Sequence, residues 1–329
     1  MTDITANNKS QFINSHFSST IVLVLIAIVF ALVLGSGAYG YGNDWYAAYH
    51  KHNLGWGGLW DRLGYILATL SIGGVHIGVH LVSFILSLSA GLLIREHIKY
   101  KQSYSLMFFI LVYIIAIHTW PIIMSTSNAM RQGLTMSFVF IGFVSMSRKK
   151  YFWMLLFFLI AMLTHKSGRL LVMIVVFAPI VNNLLAGYSH PSKARLNFLI
   201  GISLLISAYF VAGIIGLNEK GEPSKIIGLD FRVAFLFLAS IYIALSFLFR
   251  SLIDNPFNLS LYYFSFIAPS LVMNGLNYEY ERLGMMMLIP YILCFGTLLK
   301  KSSYQIYLFA CFVLLFLLTV LAGMYASFK

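Results

Sequence analysis

Thr20 to Ala38 reads TIVLVLIAIVFALVLGSGA, without one charged residue and with an unbroken apolar run from Ile21 to Leu34. Lipid offers a backbone no hydrogen-bond partners, so a bilayer-crossing segment satisfies its own amides as an α-helix or pairs them in a closed barrel. Barrel strands alternate apolar and polar residues, whereas a continuous run is the helical pattern. The pattern recurs along the chain: 60% of the 329 residues are hydrophobic and 10% are charged, and the mean hydropathy is +0.85. So few charges do not cover a water-soluble domain. The expected fold class is therefore all-α, a polytopic transmembrane helical bundle.

Met1 to Ser19 precede that run, are polar and carry one lysine. They lack the basic start and small-residue cleavage site of a removable signal peptide, so the first span reads as a retained signal anchor behind a polar cytoplasmic tail. A requirement of ~20 apolar residues per crossing predicts about eleven spans. They fall near Thr20 to Ala38, Tyr65 to Ile94, Leu106 to Ser125, Ala129 to Ser147, Tyr151 to Thr164 and Leu170 to Ala186. The rest are Leu196 to Leu217, Phe231 to Phe249, Leu259 to Gly275, Leu283 to Leu299 and Ile306 to Ala326. Tyr65 to Ile94 is long and carries Gly73 and Gly74, which suits a short re-entrant or interfacial helix followed by a crossing. Tyr151 to Thr164 is short, and crosses if the bundle thins the membrane or flanking cations snorkel. With no internal repeat, low-complexity tract or long linker, residues 1–329 read as a single integral membrane domain.

Orientation follows from Lys and Arg in short loops. A cytoplasmic amino terminus puts Lys9, Arg95, Lys99, Lys101, Arg148, Lys149, Lys150, Lys193, Arg195, Arg250, Lys300 and Lys301 on the cytoplasmic side, a bare majority of the 22 lysines and arginines. Only Asp3, Glu96 and Asp254 of the ten acids share that side, so its positive excess is much the larger. Plain clusters such as Arg148-Lys149-Lys150 suit loops held against anionic headgroups.

The opposite side carries mixed, aromatic-rich segments at span ends: Tyr41 to Tyr46, Asn128 to Gly133, Thr164 to Arg169, Gly228 to Arg232 and Tyr278 to Arg282. Ionisable residues at membrane depth are expensive unless they serve a site or pair with one another. Convergence of these segments would form an extracytoplasmic cavity holding both cations and carboxylates. Arg131, Arg169, Arg232 and Arg282, with Lys166 beside Arg169 in the chain, suit a phosphate or diphosphate, since a guanidinium offers a planar, permanently charged fork. Asp44, Glu279, Glu281 and His165 supply candidate general bases, and Trp45, Tyr46, Tyr278 and Tyr280 offer flat faces for sugar rings. Together they point to group transfer from a lipid-linked phosphate.

The motifs Gly42-Asn43-Asp44-Trp45-Tyr46 with Tyr49, Asn128-x-x-Arg131-Gln132, His165-Lys166-Ser167 and Tyr280-Glu281-Arg282 occur in this order. In them the chain resembles the EpsG branch of the Wzy-type bacterial polysaccharide polymerases, from about Tyr39 to Pro290. Asp61-Arg62-Leu63-Gly64-Tyr65 stands where such proteins tend to show an acidic residue ahead of a Gly-aromatic pair, and Asp61 is given no role. The resemblance implies a glycosyltransferase that moves a growing glycan from undecaprenyl diphosphate onto the non-reducing end of another lipid-linked repeat unit. The reaction would occur on the periplasmic or outer face of the bacterial inner membrane; no cofactor is expected, and no residue is assigned to a metal. An upstream flippase and a chain-length regulator are expected partners on the same ground, and a nucleic acid is not.

A diphosphate gains charge as the glycosidic bond breaks, and preorganised arginines in a low-dielectric cavity stabilise it. Arg131 and Arg282 lead for that role, with Arg169 and Arg232 as further diphosphate contacts and Tyr46 and Tyr280 as sugar contacts. A base for the acceptor hydroxyl must lie within hydrogen-bond reach, and Asp44, Glu281 and His165 are ranked in that order. Inverting and retaining courses stay equally open.

Blander readings stand beside these. Arginines at span ends commonly snorkel to headgroups, Glu281 and Arg282 are adjacent and so do not face each other on a helix, and Asp44 is a residue type that caps helices. His76 and His80, four apart on one helical face, lack a neighbouring carboxylate or cysteine for a metal; Cys294, Cys311 and the methionines are packing residues. An O-antigen ligase-like transferase is the alternative, and would be expected to carry a larger extracytoplasmic loop for its second substrate. A lipid-linked sugar flippase would be expected to show repeated halves.

Overall fold

The structure, a computed structural model, describes residues 3–37, 62–73, 75–99, 106–118, 120–127, 129–165, 167–215, 225–226, 229–248 and 256–273. These residues are almost entirely helical, as the continuous apolar runs require. They fall into two compact units, one holding the described residues up to His165 and the other those from Ser167 to Met273.

In the first unit α1 (Asp3–Gly35) buries a stripe of Leu23, Ala27, Phe30, Ala31 and Leu34 against α3 (Gly78–Lys99). That spacing is the i, i+4, i+7 repeat of one helical face. The segment expected as a polar tail is helical from Asp3 and runs unbroken into the apolar stretch. Arg95 donates to Thr20 Oγ1 at 2.8 Å, and Gly35 meets the ring of His80, so α1 and α3 run antiparallel. A third helix, α4 (Leu106–Ile117), packs on both, and Gly91 of α3 admits Tyr113 there. Tyr113 Oη lies 2.7 Å from Ser87 Oγ and donates to the Ser87 carbonyl at 3.0 Å. These buried hydroxyls are thereby satisfied, as apolar surroundings demand.

Two expected spans are divided. Tyr65 to Ile94 contains α2 (Arg62–Ala68), a two-stranded ladder of β1 (Ser71–Ile72) and β2 (Val75–His76), and then α3. Gly73, at φ +58°, makes the turn, a conformation open to a residue without Cβ. His76 lies in β2 with its Nδ1 3.1 Å from Ser71 Oγ. It therefore does not share a helical face with His80 in α3, which corrects the sequence expectation for that pair. Leu106 to Ser125 breaks into α4 and α5 (Trp120–Ser127); Pro121, the second residue of α5, has no N–H to continue a helix running in from α4.

α6 (Met130–Ser147) and α7 (Tyr151–Thr164) form a tight hairpin. Its turn donates Lys149 N–H to the Met146 carbonyl and Lys150 N–H to the Ser145 carbonyl, both at 2.9 Å. This is the Schellman pattern, with Lys149 in the left-handed region at φ 58° where glycine is usual. Arg148 donates through Nε and Nη2 to Glu96 Oε2 at 3.0 and 2.6 Å, tying this turn to the carboxyl end of α3.

The second unit is built round α11 (Pro256–Met273), every residue of which from Asn258 to Ile267 is buried. α8 (Ser167–Leu184), α9 (His190–Ile215) and α10 (Phe231–Leu248) pack against it. Tyr263 donates to Asn197 Oδ1 at 2.6 Å, and Tyr242 donates to the Asn258 carbonyl at 3.1 Å. The short ladder β3 (Lys225–Ile226) and β4 (Leu229–Asp230) leads directly into α10.

Outward faces in both units are apolar: Leu25 and Leu32 on α1, Phe152 and Leu155 on α7, Met173 on α8, and Leu199 and Phe210 on α9 are exposed. Gly78–Glu96 and His190–Val211 are long and apolar enough to cross a membrane. Only 11% of the latter window is buried, so its apolar surface is not spent on a protein core. The expected spans from Leu283 to Leu299 and from Ile306 to Ala326 lie outside the described residues.

Candidate functional site

The α6–α7 hairpin gives the first unit two chemically distinct ends. Arg95, Glu96 and Arg148 gather at one. The other holds the start of α6 and the end of α7, because helices of 18 and 14 residues leaving one turn reach about 27 and 21 Å from it at 1.5 Å per residue. Arg131 and Gln132 sit in the first turn of α6, and His165 follows the last residue of α7. Two sequence-derived candidates, Arg131 and His165, thus come to one end together with Gln132, opposite the basic turn.

Close backbone approaches build this end. Gly64 of α2 meets the Thr164 carbonyl oxygen, and Gly133 of α6 meets the Ser125 carbonyl oxygen of α5. A Cβ at either position would run into backbone. The Ala129 N–H donates to the Met124 carbonyl at 2.8 Å, so α5 and α6 meet across a tight joint that sets where Arg131 begins. Small residues of this kind are how apolar helices bring their backbones together.

Arg131 is half-buried, and Thr135 Oγ1 donates to its carbonyl at 2.9 Å. His165 has extended backbone (φ −160°, ψ 147°) and is only 4% exposed. Gln132, 2% exposed, has neither Oε1 nor Nε2 hydrogen-bonded among the described residues. A buried amide without partners costs about 1–3 kcal/mol, and such groups are few in native proteins. Cation, imidazole and unmatched amide at one end can together bind an anion, move a proton and orient a hydroxyl or carbonyl.

Sequence reasoning placed Gln132 in a motif and gave it no role. Its burial was not legible, because a helix apolar on most faces does not announce which side turns inward. Arg169, exposed in the first turn of α8, and Arg232, second residue of α10, both belong to the second unit. Asp44, Tyr46, Tyr280, Glu281 and Arg282 lie outside the described residues. Among the described residues there is no group of three or more His, Cys, Asp or Glu placed to hold a metal ion.

No family model, no curated protein and no solved structure matches this chain.

Proposed function

We propose that the chain is a multi-pass membrane glycosyltransferase of the Wzy type, polymerising undecaprenyl-diphosphate-linked repeat units into a surface polysaccharide at the extracytoplasmic face of a bacterial inner membrane. The observation that carries this reading is the collection of Arg131, Gln132 and His165 at the end of the α6–α7 hairpin remote from Arg148. Positive-inside reasoning assigns Arg95, Arg148, Lys149 and Lys150 to the cytoplasm, which leaves Arg131, Gln132 and His165 on the outer side. The apolar outward faces suit lipid as the surrounding solvent, since exposed apolar surface on this scale is foreign to a water-soluble monomer.

In the proposed reaction the acceptor sugar hydroxyl attacks the anomeric carbon of the donor. The new C–O bond forms as the bond from that carbon to the diphosphate oxygen breaks. Undecaprenyl diphosphate leaves with the electron pair, and the hydroxyl proton passes to Asp44, Glu281 or His165. Arg131 holds the departing diphosphate, whose charge rises as the bond lengthens; motif order proposes the same role for Arg282. Gln132 hydrogen-bonds a sugar hydroxyl, which matches its unmatched amide.

Purified protein supplied with undecaprenyl-diphosphate-linked repeat units is expected to yield products of two or more units and to release one undecaprenyl diphosphate for each new linkage. Transport of the unaltered substrate across a vesicle membrane, without chain growth, would instead identify a flippase. Transfer to lipid A-core without polymerisation would identify a ligase.

A further inference from the structure

An open groove of about 420 Å³ lies between α9, α10 and α11 in the second unit. Its walls are mostly apolar, with Phe198 and Leu199 from α9, Phe247 from α10 and Tyr262 from α11. The Phe198 ring meets Phe247 edge-on at 5.4 Å and Phe266 at 5.7 Å, so this surface is held in place by its own packing. Ser246 also lines the groove, but its hydroxyl donates to the Tyr242 carbonyl at 2.8 Å. The charged group here is Arg195, exposed at the groove and without an acidic partner among the described residues.

The surroundings reinforce that charge. His190 and Lys193 share the first turns of α9 with Arg195, and no aspartate or glutamate occurs in the chain between Glu96 and Glu219. The sequence between α10 and α11 holds one residue of each sign, Arg250 and Asp254. The groove opens where α9 begins and α10 ends, the side that positive-inside reasoning assigns to the cytoplasm.

We infer that this groove binds an anionic phospholipid, with its phosphate on Arg195 and part of an acyl chain along Phe198, Leu199 and Phe247. A free anion would have no use for the apolar walls, and a neutral lipid would leave the guanidinium without its partner. Basic pockets between membrane helices on the cytoplasmic side take anionic headgroups for this reason, and Arg presents phosphate with paired donors. The inference rests on the membrane reading of the chain and is independent of glycosyl transfer.

Full-length protein, stripped of lipid in detergent, is titrated with phosphatidylglycerol or phosphatidylcholine of identical acyl chains and read by native mass spectrometry. Wild type should prefer phosphatidylglycerol. Arg195→Gln should lower that preference roughly fivefold, the effect of one cation near an anionic surface, while Arg195→Lys should keep most of it. Ala194→Trp, which fills the groove, should weaken binding of both lipids. Lys149→Gln, a cation remote in the chain and in the other unit, should change nothing; unchanged thermal midpoints confirm that each variant is folded. Absence of a preference in wild type, equal losses in Lys149→Gln and Arg195→Gln, or full binding to Ala194→Trp would each overturn the inference.

Discussion

Gln132 separates stability from function at a single side chain. If its buried amide serves only the fold, replacing it with the similarly shaped, apolar methionine removes an unsatisfied group and is neutral or stabilising by about 1–3 kcal/mol. In the proposed site the same change removes a sugar contact. Gln132→Met should therefore hold or raise the thermal midpoint of the purified protein while lowering polymerisation at least tenfold; unchanged activity would remove Gln132 from the site. Arg131→Ala should cost about 10²-fold in turnover, the loss typical of one preorganised donor to developing charge. Arg131→Lys should recover only part of it, because an ammonium keeps the charge without the fork. If Arg131 merely anchors its helix to headgroups, lysine serves as well as arginine, so complete recovery contradicts the diphosphate role. Arg131 and His165 were legible because charge stands out in apolar sequence. The inward turn of Gln132 was not, because an uncharged amide in a hydrophobic helix gives no sign of which face is packed.

At the scale of elements, the α6–α7 hairpin was the most legible feature: two apolar runs separated by Arg148-Lys149-Lys150 became helices whose limits match those runs within a residue. Its capping geometry was not legible, since nothing about Lys149 announces a positive φ of 58°. Left-handed geometry costs an ordinary residue about 1–2 kcal/mol, and glycine avoids that penalty at some expense in chain entropy. Lys149→Gly should accordingly stabilise the protein by about 0.5–1 kcal/mol in detergent unfolding; destabilisation would show that the turn depends on the lysine side chain. At the other end, Gly133→Ala should destabilise by about 1–3 kcal/mol, the usual effect of overpacking, because the Ser125 carbonyl facing it is backbone. The division between α4 and α5 and the ladder before α3 were partly signalled by Pro121 and by Gly73-Gly74. Uniform hydrophobicity concealed them, since an apolar run reads alike whether it holds one helix or two.

At the scale of the whole molecule, composition made the helical class legible, while charge placement yielded the two-sided expectation. Arg95 and Arg148 lie at one end of the first unit and Arg131 and His165 at the other; assigning the first of these ends to the cytoplasm is part of the proposal. Asp44, Glu281 and Arg282 enter the account through motif order alone. Sidedness is tested by replacing Cys294 and Cys311 with serine, adding one cysteine by Ser36→Cys or Lys149→Cys, and treating intact spheroplasts with an impermeant thiol reagent. Ser36→Cys should label at once and Lys149→Cys only after permeabilisation; the reverse pattern would invert the topology and remove the extracytoplasmic site. The most direct test of polymerisation is the length distribution of surface glycan, by gel, in cells lacking the endogenous protein and complemented with wild type, Arg131→Ala or Asp44→Ala at matched membrane abundance. The account predicts single repeat units in the knockout, a full ladder with wild type and no ladder with either variant. Loss of all surface glycan from the knockout, single units included, would contradict it.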